Sequence, residues 1–430
     1  MRGLLVDPAP LRESAAYRRL WVGLSLGQVG QQLAVVAIGL QVYDLTRSSF
    51  AVGLVGLSAL VPLVVLGLYG GAIVDARDRR TVAIAASVSL WVVSLATAAQ
   101  AWLDVRSVPL LYALVALQSA AYAVNNPARA AIVPSLVSRH NLPAANALHT
   151  LSFTIGAAVG PALGGFVVGR WGVEAAYTVD AVTYLFALWG VFGLPAMPPE
   201  PTADGVRRRA GLASVVEGLR FLGGRPNIRM TFFVDMAAMF FAMPRALFPA
   251  IGVVVLGGGA TTAGALVSAI AGGSILAGLL SGPLGTVRRQ GLAVVACVVG
   301  WGLSVAAFGA CLLAAGGTAG VVRAGVSPWL WPALGCLVVA GAMDAVSAVF
   351  RQTILQAATP DALRGRLQGV FIVVVAGGPR VGDLVSGTSG DAFGEAAAAC
   401  AGGLVCVAAA LFLARLQPRF VHYDARHPEP

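Results

Sequence analysis

Lysine is missing altogether: the 29 basic residues in this chain of 430 are all arginines. A phosphate-cradling nucleotide loop needs a lysine to reach the β- and γ-phosphates, so this chain does not host that kind of ATPase. Any solute it moves must be driven by ion or substrate gradients, or by a separate ATPase subunit. Charge of either sign is scarce. Charged residues are 11% of the chain against 58% apolar, with a mean hydropathy of +0.81, whereas a soluble domain carries charge at about a quarter of its positions. Most of the surface therefore faces something other than water, and the chain reads as an integral membrane protein. Histidine is limited to His140, His149, His422 and His427, none deep in an apolar run, and no D-D-x-x-D-like acidic pair occurs. Both absences count against a metal-dependent transferase embedded in the bilayer. Cys297, Cys311, Cys336, Cys400 and Cys406 lack C-x-x-C spacing and read as small packing residues. No catalytic residue, metal site, cofactor or nucleic-acid partner is expected.

Apolar runs are what the chain has in abundance. A helix needs about 20 apolar residues to cross the hydrocarbon core, and twelve stretches qualify: 20–42, 49–74, 81–103, 108–126, 146–169, 176–194, 230–252, 262–284, 291–315, 328–350, 368–388 and 394–415. The first begins at Leu20 without a small-residue cleavage site, so it reads as a retained helix. If both termini are cytoplasmic, 23 of the 29 arginines fall in inside segments, Arg129 and Arg351 among them; Arg47, Arg106, Arg170, Arg245 and Arg323 fall outside and Arg380 lies within a span. Cytoplasmic loops attract arginine, which supports twelve helices with both ends inside the cell.

The longest linker divides the spans six and six, giving an N-terminal bundle over 1–194, a cytoplasmic linker over 195–229, and a C-terminal bundle with its tail over 230–430. Within the linker, Leu212, Val215, Val216 and Leu219 share one helical face. That face fits a helix lying on the inner membrane surface, or one packed on the cytoplasmic helix ends. The halves repeat. Arg129 and Arg351 stand 222 residues apart, Pro161 and Pro379 stand 218 apart, and Arg79 and Arg80 precede Arg288 and Arg289 by 209. A duplicated six-helix unit follows, and such repeats enclose a substrate path near the bilayer midplane.

Polar residues inside the spans are the site candidates. Gln28, Gln31 and Gln32 lie roughly 12 to 18 Å along span one, where they line a wet cavity or bond to neighbouring helices. Asn125 and Asn126 end span four and either cap it or gate. Asp235 and Asp344 fall toward the inner leaflet and Asp180 toward the outer. Intramembrane acids are costly and usually functional, so Asp180, Asp235, Asp344 and Asp383 are candidates for carrying protons, with interhelical pairing as the other reading. Arg380 and Asp383 share one face of span eleven, inside "AGGPRVGDLVSG", and either neutralise each other or point together toward the cavity.

Two motifs bring a family into view. In "GGAIVDARDRR", Gly71, Asp75, Arg79 and Arg80 match the signature loop of the major facilitator superfamily, with Ala76 in place of its first arginine and Asp78 in place of its glycine. In "GAAVGPALGG", Gly156, Gly160, Pro161, Gly164 and Gly165 match the core of that superfamily's antiporter motif. Taken with "RQTILQAATPDALRGR" and "MPRALFPAI", the chain resembles the enterobactin exporter-like, drug-efflux subfamily along essentially its whole length. The resemblance implies two pseudo-symmetric six-helix bundles, an all-α major facilitator fold. It also implies a multi-pass monomer of the bacterial inner membrane that exports a small amphipathic molecule, a siderophore or a drug such as a macrolide, driven by the proton gradient through alternating access. By the same resemblance, Asp75 would help lock one conformation. An uptake symporter on the same fold is the alternative. Span four, "LYALVALQSAAYAVNN", holds no arginine where many drug/proton antiporters of the superfamily carry one, so either the coupling group lies elsewhere or the coupling is indirect.

Overall fold

A computed structural model describes residues 7–197, 220, 222–316, 325–357 and 361–426, with the side chains of 68, 70–73, 75–76, 283 and 361–376 outside that description. The linker helix expected around Leu212–Leu219 therefore lies outside the described residues. Helix dominates. A short α1 (Ala9–Glu13) leads into α2 (Ala15–Thr46), α3 (Ser49–Ala76), α4 (Arg79–Trp102), α5 (Val108–Leu136) and α6 (Leu142–Phe192). After the linker come α7 (Pro226–Phe241), α8 (Gly259–Leu279), α9 (Gln290–Ala314), α10 (Leu330–Ala357), α11 (Asp361–Phe393), α12 (Glu395–Leu416) and the short α13 (Pro418–Val421).

Among the described residues ten helices are long and apolar enough to cross a membrane. One of them, α6, has 51 residues, about 76 Å of helix and too long for one crossing. It breaks at Gly172, whose φ of 85° only glycine adopts readily, so its two legs correspond to the fifth and sixth expected spans. The 33-residue α11 corresponds to the eleventh. The architecture is thus consistent with twelve crossings.

Several boundaries differ from the apolar runs. Helix α5 continues ten residues past the expected end of span four, through Pro127 and Pro134 to Leu136. The seventh span starts at Pro226 and is broken: after α7 the chain passes through a 3-10 turn (Arg245–Leu247), one α turn (Phe248–Ala250) and a π turn (Ile251–Val255). The carbonyl freed at the break, on Ala242, accepts from the buried Trp301 indole at 3.2 Å, as a bilayer requires of an interrupted helix.

The chain packs as two compact units, Met1–Gln41 with Ser58–Gly211, and Val42–Leu57 with Leu212–Pro430. The 42–57 stretch groups with the second unit, although a division at the linker would leave it with the first. In the first unit, α4 packs on α5 and α6, and Leu20, Val82, Ile132 and Val191 form one core. In the second, α9 packs on α10 and α12, and α8 on α10, around Val234, Val294, Trp301, Ile354 and Phe420.

Each unit closes its loop between spans two and three, or eight and nine, with the segment that follows its last span. In the first, Met197 donates its N–H to Asp78 Oδ2 at 2.9 Å while its carbonyl accepts from the Arg79 N–H at 3.1 Å. In the second, Ala425 donates to the Arg288 carbonyl at 3.0 Å and Asp424 bridges Arg289.

Candidate functional site

The antiporter-like glycines set the geometry of the first unit. A Cβ built on Gly156 would stand 2.6 Å from Gln28 Cγ, and one on Gly160 would stand 2.6 Å from Gln32 Cβ and 2.9 Å from the Val29 carbonyl. Gly164 meets Leu33 as closely. Small residues at this spacing let α6 and α2 touch backbone to backbone. The hydroxyls of Ser25 and Ser152, 2.7 Å apart, and the Trp21 indole on the Leu148 carbonyl at 3.1 Å join the same pair.

Beside this seam lies a pocket of about 70 Å³. Helix α2 contributes Gln28 and Gln31, α5 contributes Tyr122, Asn125, Asn126 and Arg129, and α6 contributes His149, Ser152, Phe153 and Tyr184. Gln28, Gln31, Asn125 and Asn126 all line this pocket. Gln32 is not in the lining; its Cβ lies over Gly160 instead.

Arg129 departs from the expected inside segment. It is not in a cytoplasmic loop: the extension of α5 carries it into the bundle, where it is 8% exposed. Its Nε donates to Asn125 Oδ1 at 3.0 Å and its Nη2 to Ser87 Oγ at 3.0 Å, while Ser87 donates to Asn125 at 3.3 Å. Helix α5 therefore does hold a buried arginine, one turn beyond the end assigned to span four. The repeat offset that paired it with Arg351 was the available signal.

The other candidates separate into distinct environments. Asp180 is 3% exposed and accepts from Ser94 Oγ at 2.5 Å, but its Oδ1 is buried without a hydrogen-bond partner. It faces α4 and the close approach of Gly30 on α2, and is not in the pocket lining. In the second unit Arg351 is ion-paired with Asp235 and lies 3.4 Å from Asp344. Two of the proton-carrying candidates are thus joined by an arginine expected in an inside segment.

Asp383 sits where α3 meets α11, its Oδ2 3.5 Å from a Cβ built on Gly56, and its Oδ1 buried without a partner. Arg245 and Arg380 are the cations acting on it. Arg245, read from sequence as an outside-loop residue, belongs to the broken stretch of the seventh span. The glycines of "AGGPRVGDLVSG" are contact points: a Cβ on Gly382 or Gly387 would strike the Met239 or Ser49 carbonyl. At the start of α3, Asp391 accepts from the Ser49 N–H at 2.7 Å and from the Ser48 hydroxyl, and Glu395 accepts from Ser49 Oγ at 3.2 Å.

In the loop motif, the side chains at Gly71 and Asp75 lie outside the described residues. Asp78 caps α4, accepting from the Thr81 N–H at 2.8 Å. That bond, with help from the Met197 N–H, holds its carboxyl below the usual carboxylate range. Arg79 and Arg80 do not cap α4. Arg80 donates to the Phe192 carbonyl at 3.0 Å, at the end of α6, and Arg79 approaches the Ala131 carbonyl at 3.5 Å. Arg80 thereby satisfies an orphan carbonyl and the dipole at the C-terminus of α6 together.

The profile of the transmembrane secretion effector family, within the major facilitator superfamily, matches residues 7–428. Enterobactin exporter EntS of Citrobacter koseri is 27% identical over 99% of this chain and 97% of its own length. The protein of that name in Escherichia coli K12 shows the same identity and coverage. Among solved structures, a mutant of the nucleoside transporter NupG superposes with a TM-score of 0.70 at 13% identity, over 93% of this chain and 99% of that one. At that identity the likeness shows the fold, which is the major facilitator fold.

Proposed function

This chain belongs to the transmembrane secretion effector family, and we propose that it is a secondary active exporter of a small amphipathic molecule, a siderophore or a macrolide-like drug. The observation that carries the reading is the match to a secretion family along almost the whole chain. Full-length similarity to enterobactin exporters supports the siderophore class. The pocket of the first unit, lined by amides, aromatic rings and one buried guanidinium, offers both polar and apolar contacts to such a molecule. The protein sits in the inner membrane with both termini in the cytoplasm, acts as a monomer, and uses the proton gradient through alternating access of its two six-helix bundles. The signature loop, with Gly71, Asp75, Arg79 and Arg80, holds one of the two conformations.

Asp180 and Asp383 are the better-supported proton carriers, because each keeps a buried oxygen that accepts from no donor among the described residues, leaving a position for a proton. Asp235 and Asp344, joined through Arg351, move protons only if that ion pair opens during the cycle. The test is uptake into inside-out membrane vesicles whose lumen is acidified. An exporter accumulates its substrate there, and Asp180→Asn and Asp383→Asn remove the dependence on lumen pH. Depletion of substrate from the lumen would identify an uptake symporter instead.

A further inference from the structure

The pseudo-repeat places one arginine at equivalent points of both halves and treats the two differently. Arg351 is neutralised by Asp235 and Asp344. Arg129, 222 residues earlier, is 8% exposed and, among the described residues, bonds to the neutral oxygens of Asn125 and Ser87. No ion pair among the described residues includes it. A buried cation without a counter-charge is costly, and an arginine needed only to join helices would be matched as Arg351 is. This one lines a pocket instead, beside the rings of Tyr122, Phe153 and Tyr184 and the amides of Gln28 and Gln31.

We propose that this pocket is an anion subsite, in which Arg129 takes the carboxylate of an aryl acid and the neighbouring rings hold its aromatic part. The planar guanidinium fork matches a carboxylate, and charge-assisted hydrogen bonds are stronger than neutral ones. Asn125 and Ser87 are positioning residues: they hold Nε and Nη2, and so aim the fork. With a volume of about 70 Å³, the pocket takes an acidic head group, and the rest of a larger molecule extends outside it. The inference deepens the export reading by naming the substrate as an organic acid, and so rests on it for biological meaning. The binding step stands separately.

The test is equilibrium dialysis of the purified full chain in detergent, at constant neutral pH and salt, against naphthoate and its uncharged amide, naphthamide. Wild type is expected to hold naphthoate about tenfold tighter than naphthamide, and Arg129→Gln to abolish that preference while changing naphthamide binding by less than about twofold. Arg129→Lys should retain part of the preference. Asn125→Ala, which keeps the charge but frees the fork, should weaken naphthoate selectively. The wild-type comparison needs no variant, so a misfolded Arg129→Gln does not remove the test. Equal binding of the two probes, no binding of naphthoate, or a normal preference in Arg129→Gln would each overturn the subsite. A retained preference in a protein whose vesicles accumulate nothing would sink the export reading and leave the subsite standing.

Discussion

Single charged side chains in this protein differ in what their removal leaves behind. Arg351 joins Asp235 and Asp344, with only 12% and 9% of the Arg351 and Asp235 side chains exposed. Truncating it strands the Asp235 carboxylate in a site with little access to water, while the Asp344 side chain keeps 36% of its surface exposed; breaking a buried pair in this way costs about 3 to 5 kcal/mol. Arg129 has, among the described residues, an amide oxygen and a hydroxyl for partners, and losing bonds of that kind costs about 1 to 3 kcal/mol. Arg351→Ala is therefore expected to lower the melting temperature in detergent well below that of Arg129→Gln, and Asp235→Asn combined with Arg351→Ala to recover part of the loss. Scanning fluorimetry measures all three. Equal melting temperatures for the two single variants would mean that Arg129 has a counter-charge after all.

At the scale of helices, glycine placement decides where the bundle is tight. Gly160 meets the Val29 carbonyl and the Gln32 Cβ at distances no added methyl can share, whereas Gly67 on α3 has nothing within 4 Å of a built Cβ. Gly160→Ala is expected to destabilise the chain by about 1 to 3 kcal/mol through overpacking, and Gly67→Ala to be neutral or stabilising by up to about 1 kcal/mol through reduced freedom of the unfolded chain. Comparing their melting temperatures checks the α2–α6 seam directly. These seams were legible in the sequence because small residues at helical spacing have few other uses in a bilayer, and hydropathy located the crossings for the same reason. Helix ends were less legible. Apolar character runs out at Asn125, but α5 does not stop there, because the backbone bonds of a buried helix continue wherever neighbouring helices cover them. Arg129 was placed in a loop on that account. The break after α7 was hidden in the opposite way, since "AMPRALFPAI" stays apolar on both sides of Arg245, and composition says nothing about a turn that Trp301 satisfies from another helix.

Across the whole molecule the duplication extends beyond the six helices of each half to the segment that leaves them. In the first unit the strap at Met197 pairs with Asp78 and Arg79; in the second the strap at Asp424 and Ala425 pairs with Arg288 and Arg289. The halves differ in how Arg129 and Arg351 are partnered but share this closure, which argues that the closure serves the stability of each unit. The second strap also fills its core: Phe420 is fully buried and Tyr423 is 4% exposed, both in one cluster with Val294, Trp301 and Ile354. A Cβ on Gly291 would collide with the Phe420 carbonyl, so the strap lies directly on the start of α9 with no room for adjustment. Removing a buried phenylalanine side chain costs about 3 to 5 kcal/mol. Phe420→Ala is accordingly expected to lower the melting temperature sharply and to expose the Arg288–Gln290 turn to limited proteolysis. Arg426→Ala, at an exposed position of the same strap, should do neither. A Phe420→Ala protein that melted and resisted protease like wild type would show that the strap follows the fold of the second unit and does not hold it together.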